Sequence, residues 1–319
     1  MNEALFFEPV FKERIWGGTK LHDYFGYLLP NHKIGEDWAI SAHPNGPSIV
    51  KNGMYQGKTL IDLWQKNPEL FGHPTEETFP LLTKILDANT DLSVQVHPDD
   101  NYAKKHENGE LGKTECWYII DCEPGAELIY GHNAKTKEEF ERLADEGNWD
   151  KLLRKVKIKP GEFYYVPSGT IHALGTGTLV LETQQNSDTT YRVYDYDRKD
   201  ASGNKRELHL KKAIDVTTIP HQDASLKSKI NKLDGFTETV FVENQFFCVY
   251  KWAITQKATL KQKADYTLVS ILKGKGTLII ENNRTSIQKG DHFLIPNTVS
   301  SFTISGEVTA ISSTPRIKN

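Results

Sequence analysis

Two segments that lie far apart in the chain carry side chains that bind metal ions in many enzymes. The first covers residues 93–100 and continues at 112–115, and the second covers residues 161–172. Because alternate residues of a strand point to the same face, Gln95 and His97 can reach one ion. Histidines combined with a carboxylate are a common ligand set for a catalytic divalent metal with an open position. The pattern predicts one metal centre built from both segments.

The elements that must position these residues are short strands bounded by glycine, proline, asparagine or aspartate. Apolar runs at this spacing favour a β-sandwich or barrel. The predicted strands before residue 220 are Leu92–His97, Cys116–Asp121, Glu127–Gly131, Lys155–Ile158, Phe163–Val166, Thr178–Thr183 and Arg192–Tyr196. Helical periodicity or capping signals predict helices at Thr59–Asn67, Thr136–Glu146 and Leu208–Val216, as decorations of the β core.

The composition changes after Pro220. Residues 221–233 are polar and lysine-rich, as in a linker, and further strands are predicted at Thr239–Val242, Phe246–Ile254, Leu268–Leu272, Gly276–Glu281, His292–Ile295 and Ser301–Ile304. The run Pro160–Pro167 matches Lys289–Pro296 in its glycine, acidic residue and proline, which indicates an internal repeat. Continuing the match places Ser301 opposite His172, and residues 274–276 are expected to form a hairpin turn.

Bulk properties exclude several classes of protein. The net charge is −3 and no basic stripe interleaves with aromatic residues, so we expect no nucleic-acid partner. The three cysteines form no C-x-x-C pair, which argues against a disulfide framework and fits a reducing compartment. Neither a signal peptide nor a membrane-spanning run is recognisable, so we expect a cytoplasmic protein that does not enter membranes.

The residues at the two segments resemble known motifs. Gly161–His172 reads G-x5-P-x-G-x2-H, which resembles the second motif of the cupin superfamily, and Gln95–Glu115 resembles the first, with Gln95 where histidine is usual. Several ordered motifs together resemble the short bacterial form of the type I mannose-6-phosphate isomerases; they are Trp16–Gly18, Gly35–Trp38, Ser41–Pro44, Val94–Asp100, Gly112–Tyr118 and Leu181–Asp195. The sequence departs from the long eukaryotic form in a shorter helical insertion and in Gly112-Lys113-Thr114-Glu115, where that form has His-Lys-Pro-Glu.

The resemblance implies a mainly β protein of two cupin-type jelly-roll barrels with a small helical insertion. We expect a catalytic cupin domain at 1–220, a linker at 221–234 and a metal-free cupin-like domain at 235–319. It also implies one zinc ion per chain, held by Gln95, His97, Glu115 and His172. Arg192, Lys113 and Glu182 are the catalytic candidates, and Trp16 is a candidate substrate-binding wall.

The implied activity is aldose–ketose isomerisation between mannose 6-phosphate and fructose 6-phosphate through a metal-stabilised enediol, with a small phosphorylated sugar as the partner and no obligate protein partner. Sequence leaves the base open among Glu182, Lys113 and a water on the metal. An iron-dependent cupin oxygenase and a non-catalytic sugar-binding cupin are the alternative functions. Taken singly, each site residue also has a structural interpretation. His97 and His172 could be hydrogen-bonded core histidines, Gln95 could lie in the core or beside the ligands, and Trp16 could lie in the core. Glu115 and Lys113 could face solvent, Glu182 could pair with an arginine, and Arg192 could lie on the surface.

Overall fold

The computed structural model describes residues 2–199 and 202–317, and these residues fold mainly into strands. In chain order the strands are β1 (Leu5–Phe6), β2 (Phe11–Gly18), β3 (Ile34–Ser41), β4 (Leu81–Ala88), β5 (Val94–Val96), β6 (Glu115–Cys122), β7 (Glu127–His132), β8 (Leu153–Lys157), β9 (Phe163–Val166), β10 (His172–Leu174), β11 (Thr178–Gln185), β12 (Tyr191–Tyr194), β13 (Lys229–Leu233), β14 (Phe236–Glu243), β15 (Phe247–Ile254), β16 (Lys257–Lys261), β17 (Thr267–Ile280), β18 (Asn283–Gln288), β19 (His292–Ile295) and β20 (Ser301–Pro315).

The helices are short and lie between strands. They are α1 (Lys20–Phe25), α2 (Leu60–Lys66), α3 (Asp100–His106), α4 (Lys137–Asp145), α5 (Trp149–Leu152) and α6 (Leu210–Val216), with 3-10 turns at Gly53–Tyr55 and Pro68–Phe71. The Thr136 side chain accepts a hydrogen bond from the Glu139 amide, so the predicted cap of α4 is present. No helix among the described residues is both long enough and apolar enough to cross a bilayer.

Two sheets enclose the first barrel. One has the strand order β2-β3-β4-β11-β6-β9 and the other has the order β12-β5-β10-β7-β8. Their facing sides share an apolar core that includes Trp117, Leu128, Leu174 and Val180. The outer side of the second sheet is covered by α4, α5 and α6 through a separate apolar cluster.

Strand alternation decides which side chains enter this barrel. In β11, Leu179 and Leu181 pack outward against the rest of the molecule, whereas Val180 packs inward. Because side chains alternate along a strand, Glu182 shares the inward face with Val180. The same alternation places Glu115 inward together with Trp117, since β6 runs beside β11 with Glu182 opposite Trp117.

The third sheet forms the second barrel, with the order β1-β19-β17-β20-β15-β14-β13 and with β16 and β18 as side branches. Residues 267–280 form one long strand, so the two strands predicted there are joined and the hairpin turn predicted at 274–276 is wrong. The chain reverses instead at Glu281, which has a positive φ of 54°. The segment predicted as a linker contains β13, and β1 pairs with β19, so the domain division stays a prediction.

Aromatic side chains join the first barrel to the second. Phe79 stacks on Tyr266 of the second barrel with ring centroids 5.2 Å apart, and it meets Trp64 edge to face, also at 5.2 Å. Phe71 completes the group at 6.0 Å from Phe79. Each such pair stabilises the contact beyond its buried area, so this group is expected to be a main source of adhesion between the barrels.

We predict that Phe79→Ala lowers the free energy of unfolding by about 3–5 kcal/mol, because it opens a cavity among aromatic rings. Urea denaturation followed by fluorescence measures the loss. The matched control is Leu28→Ala, at a leucine that is 90% exposed, and it should change stability by less than about 0.5 kcal/mol. A loss below about 1 kcal/mol in Phe79→Ala would contradict the role given to this cluster.

Candidate metal centre and active site

Three buried side chains with metal-binding atoms converge inside the first barrel. His97, Glu115 and His172 each offer one atom, and these atoms lie within 4.8 Å of one another. His97 Nε2 is 3.3 Å from Glu115 Oε2, and His172 Nε2 is 3.3 Å from Glu115 Oε1. His97 follows β5, Glu115 opens β6 and His172 opens β10, so the group joins both sheets. The structure therefore brings together three of the four residues expected to bind metal.

The orientation of both imidazoles is set by backbone carbonyls. His97 Nδ1 lies 2.8 Å from the Thr189 carbonyl oxygen, and His172 Nδ1 lies 2.8 Å from that of Thr170. Each Nδ1 must donate its proton there, which leaves a lone pair on each Nε2. The two Nε2 atoms are 3.2 Å apart, and two lone pairs at this distance repel unless a cation lies between them. This arrangement is typical of metal ligands.

A lysine ammonium provides positive charge at this point. Lys113 Nζ contacts Glu115 Oε2 and lies 3.1 Å from His97 Nε2. Lys113 is 4% exposed, so it is not a solvated turn residue. Glu115 Oε1 accepts no hydrogen bond among the residues that the structure describes. The Lys113 ammonium thus supplies part of the positive charge that this cluster requires. Glu115 Oε1 remains free to bind a metal cation.

Gln95 and Arg192 lie beside this group on adjacent strands. The Gln95 amide is 3.4 Å from His172 Nε2, and Arg192 is directly opposite Gln95 in the β12–β5 pairing. Arg192 Nε is 3.3 Å from Ser93 Oγ, and its guanidinium makes no salt bridge within the described parts of the chain. Arg192 is half-buried rather than a surface residue, and it remains available to an anionic ligand.

Glu182 lies across the barrel from the second sheet. Its Oε2 accepts a hydrogen bond from Trp117 Nε1 at 2.9 Å, and its Oε1 is 3.8 Å from both Lys84 Nζ and Lys113 Nζ. The carboxylate therefore pairs with lysines and not with an arginine. Glu36 lies on β3, two strands away in the same sheet, and accepts hydrogen bonds from Arg14 Nε and Nη2 at 3.0 Å each.

Burial and neighbouring charges determine the protonation states. Burial lowers the pKa of His97 to about 3 and also lowers the pKa of His172, so both imidazoles are neutral. Burial opposes the charge on Glu115, but the Lys113 ammonium holds the pKa of this carboxyl well below its usual range. Burial and then the Glu115 charge raise the pKa of Glu182. Burial disfavours the Lys113 cation, yet Glu115 and Glu182 raise the pKa of Lys113.

A cavity of about 460 Å³ opens over this group. Gln95 and Lys113 line it, whereas His97, Glu115 and His172 lie behind them. Trp16 is 4% exposed and packs in the barrel core, and it also forms part of the cavity wall. Its position is therefore compatible both with a core residue and with a wall for the substrate. The charged side chains of the lining are Glu13, Arg14, Glu36, Lys84, Lys113, Glu182, Asp188, Arg192 and Arg206.

Several of these residues were not assigned to the site from sequence. Lys84 is the clearest case, because it lies in the strand β4, whose residues are all buried. Its ammonium is 4.8 Å from the Trp38 ring centroid and 3.8 Å from Glu182 Oε1. The sequence does carry a signal for Lys84, because it lies within the largely apolar run Leu81–Leu86. A lysine is rarely buried without a charged partner, so its presence in such a run indicates an internal ion pair.

Comparisons with known proteins agree with this geometry. The family model "Phosphomannose isomerase type I, catalytic domain" matches residues 5–120, and "Mannose-6-phosphate isomerase, cupin domain" matches residues 237–315. Mannose-6-phosphate isomerase ManA of Bacillus subtilis is 55% identical over 98% of this chain and 99% of its own. A Streptococcus mutans mannose-6-phosphate isomerase is 52% identical over 98% of both chains.

The fold is shared as well. The crystal structure of a mannose 6-phosphate isomerase from Bacillus subtilis superposes with a TM-score of 0.96 at 53% identity, covering 98% of this chain and 100% of that one. The predicted mainly β, cupin-type fold is thereby confirmed.

The Glu36 carboxylate generates a prediction about acid stability. Burial alone would raise its pKa, but Lys84 and Arg14 lower it from 4.5 to about 2. A carboxyl whose pKa is depressed by folding stabilises the protein above its unfolded pKa, and this stabilisation is lost as the pH falls toward the folded pKa. In the unmodified protein, the free energy of unfolding should fall between about pH 5 and pH 2 as Glu36 becomes protonated. In Glu36→Gln this fall should be smaller by up to about 3 kcal/mol, measured by urea denaturation at each pH.

The control is Glu8→Gln, at an exposed carboxylate, which should keep the pH dependence of the unmodified protein. Equal pH dependence in Glu36→Gln and the unmodified protein would show that the ion pair with Arg14 and Lys84 does not hold the Glu36 pKa down.

Proposed function

Since this chain belongs to the mannose-6-phosphate isomerase family, in its type I group, we propose that it interconverts mannose 6-phosphate and fructose 6-phosphate by a zinc-dependent proton transfer. The observation that carries the proposal is the convergence of two imidazole lone pairs and a carboxylate beneath a cavity lined by lysine and arginine. The domain division at residues 221–234 is part of the same proposal, with the metal centre in the first barrel.

The donor set fits zinc. Two neutral imidazoles and one carboxylate form a three-residue catalytic set that leaves positions open for a substrate. The free Oε1 of Glu115 and the facing Nε2 atoms of His97 and His172 are the atoms that would hold the ion. Gln95 would contribute its amide oxygen or a hydrogen bond beside the ligands. A bound cation would repel the Lys113 ammonium, and Glu182 Oε1 lies 3.8 Å away to receive it.

Isomerisation moves a proton between C1 and C2 of the sugar, and negative charge develops on the adjoining oxygens. Zinc, when bound, supplies Lewis-acid stabilisation of that charge. Arg192 adds a second, permanently charged donor at the same end of the barrel, because it lies opposite Gln95 in the sheet pairing. Donors fixed in place before the reaction stabilise such charge without reorganising.

We assign the base to Glu182. Its Trp117 hydrogen bond fixes Oε2, so Oε1 is the oxygen left to take a proton. Its pKa is raised by burial and by Glu115, which strengthens it as a base near neutral pH. Lys113 is less suited, because its neighbouring carboxylates raise its pKa and keep it protonated. Lys113 is therefore assigned to electrostatic stabilisation of the substrate oxygens.

The cavity suits a phosphorylated sugar. Cationic side chains exceed anionic ones by one in the lining, with Arg14, Lys84, Lys113, Arg192 and Arg206 set against Glu13, Glu36, Glu182 and Asp188. Arg206 is paired with Asp195 at 2.6 Å and Arg14 is paired with Glu36, which leaves Arg192 as the arginine that can turn toward an anion. Trp16 offers a flat apolar wall for a sugar ring.

An iron-dependent oxygenase would use a similar set of ligands, and a sugar-binding cupin would share the cavity. The buried lysines Lys84 and Lys113 favour the isomerase, because an anionic intermediate gives them a function. Metal analysis with an oxygen-uptake assay separates the oxygenase from the isomerase, and turnover separates a binder from both.

We predict that the purified protein contains about one zinc per chain and converts mannose 6-phosphate in a coupled assay. Chelation should abolish turnover and zinc should restore it. His172→Ala should lose zinc and lower turnover by about a thousandfold or more, because both ligand geometry and charge stabilisation disappear. Elemental analysis by mass spectrometry measures the zinc in each preparation.

The matched control is His132→Ala, since His132 is also buried but contacts the Thr218 carbonyl outside the cluster. It should retain both zinc and turnover. Full activity after chelation, tight binding of mannose 6-phosphate without conversion, or oxygen consumption by an iron-loaded protein would each overturn the proposal.

We also predict that Glu182→Gln lowers kcat by about 10²–10⁴ and keeps its zinc, because the variant lacks the base but retains the ligands. The variant should also lose exchange of the substrate C–H proton with deuterium from solvent, measured by NMR. Glu36→Gln, at another carboxylate of the same cavity, is the control and should keep measurable exchange. Normal exchange in Glu182→Gln together with loss of exchange in Lys113→Met would assign the base to Lys113 instead.

A further inference from the structure

The second barrel contains its own cavity, of about 170 Å³, on the inner side of its strands. The residues that line it are Phe236, Glu238, Tyr250, Trp252, Thr259, Leu260, Lys261, Lys263, Thr267, Phe302, Ser312 and Thr314. No residue expected to act in the isomerase reaction contributes to it.

Strand pairing shows that this cavity occupies the same place in its barrel as the active site does in the first. The order β14-β15-β20-β17-β19 repeats the order β3-β4-β11-β6-β9. In the first barrel Glu182 is opposite Lys84 on one side and Trp117 on the other. In the second, Ser312 is opposite Tyr250 on one side and Val269 on the other. Thr267 is opposite Ile295 as Glu115 is opposite Val166, and these partners are equivalent in the repeat of 160–167 and 289–296. This register aligns Val269 with Trp117 and makes Ser312 the counterpart of Glu182.

The remaining inward positions follow from the same register. Thr267 lies two residues before Val269, as Glu115 lies two before Trp117, so Thr267 is the counterpart of Glu115. Glu238 is opposite Trp252 as Glu36 is opposite Leu86. The second barrel therefore retains the cavity and one carboxylate, while hydroxyl and aromatic groups replace the charged catalytic set.

The chemistry of the lining differs from that of the active site. Glu238 Oε1 is paired with Lys263 Nζ at 2.8 Å, so its charge is compensated. Thr267 donates its hydroxyl proton to Gln262 Oε1 at 2.6 Å, and Tyr250 donates to Glu243 Oε1 at 3.0 Å. The hydroxyl oxygens of Thr267 and Tyr250 keep lone pairs that can accept hydrogen bonds from a ligand. Trp252, Phe236 and Phe302 supply apolar surface beside these acceptors.

One buried hydroxyl in the lining is unpaired. Ser312 is 0% exposed, and its Oγ has no hydrogen-bond partner among residues 2–199 and 202–317. A buried hydroxyl normally finds a partner, because leaving it unpaired is unfavourable. Since Ser312 Oγ can both donate and accept, a ligand hydroxyl would satisfy it.

We propose that the mouth of the second barrel is a binding site for an uncharged polyhydroxylated ligand of monosaccharide size. Hydroxyl acceptors, a compensated carboxylate and aromatic walls match the polar edges and apolar faces of a sugar ring. The Lys263 ammonium lies 4.4 Å from the Tyr250 ring centroid and donates a hydrogen bond to Glu238, so this half-exposed side chain forms part of the cavity wall. Of the two lysines that line this cavity, Lys263 is paired with Glu238 and Lys261 is exposed to solvent, so the lining holds no buried cation comparable to Lys84 or Lys113 of the first barrel.

The test uses D-mannose as the probe and the full chain saturated with mannose 6-phosphate. Saturation-transfer NMR and calorimetry should show saturable mannose binding that mannose 6-phosphate does not displace. Ser312→Ala should weaken it by about three- to tenfold, the effect of one hydrogen bond, and Thr267→Val should weaken it independently. Isomerase turnover should be unchanged in both variants.

The matched control is Ser313→Ala, one residue along β20, where the side chain points to the opposite face of the sheet. It should bind mannose like the unmodified protein, and thermal melting of all variants checks their folding. Absence of saturable binding under these conditions would overturn the proposal. Binding that neither Ser312→Ala nor Thr267→Val weakens would also overturn it, because the sugar would then lie elsewhere.

Discussion

The buried negative charge of Glu115 is the constraint on which the rest of the active site depends. A carboxylate with no solvent exposure is unfavourable by several kcal/mol unless cations and hydrogen bonds compensate it. In this barrel the compensating charge comes from the Lys113 ammonium, which contacts the carboxylate. The Nδ1 protons of His97 and His172 are committed to backbone carbonyls, so their Nε2 lone pairs and the free oxygen of Glu115 face a common point. A bound cation at that point would complete the compensation of the buried charge.

The surrounding charges form a connected network instead of isolated pairs. Lys84 lies near Glu182 and helps to hold the pKa of Glu36 low, while Lys113 contacts Glu115 and approaches Glu182. Each cation is shared by two carboxylates, so a change at one residue alters the pKa values of its neighbours. A site of this kind can transfer a proton from substrate while keeping its total charge compensated inside an apolar barrel.

The two barrels show how one architecture carries different chemistry. Both present the same order of five strands and the same inward positions, yet the first has Lys84, Glu182 and Glu115 where the second has Tyr250, Ser312 and Thr267. Backbone pairing sets where inward side chains lie, and residue identity sets what they do. Phe79 and its aromatic neighbours then fix the barrels against each other through apolar contact.

The sequence alone predicted the candidate metal ligands, and it determined the fold class and many of the strands, because these depend on local spacing and alternation. Phe163–Val166 and His292–Ile295 have their predicted bounds. Strands β3 and β4 were not predicted, because charged residues interrupt their apolar pattern: Glu36 and Asp37 in β3, and Lys84 and Asp87 in β4. Only the tertiary structure brought Lys84, Glu36 and Arg14 to the cavity and placed Lys113 near Glu182. These contacts join strands far apart in sequence, and pairing register, which local pattern does not encode, decides which side chains meet.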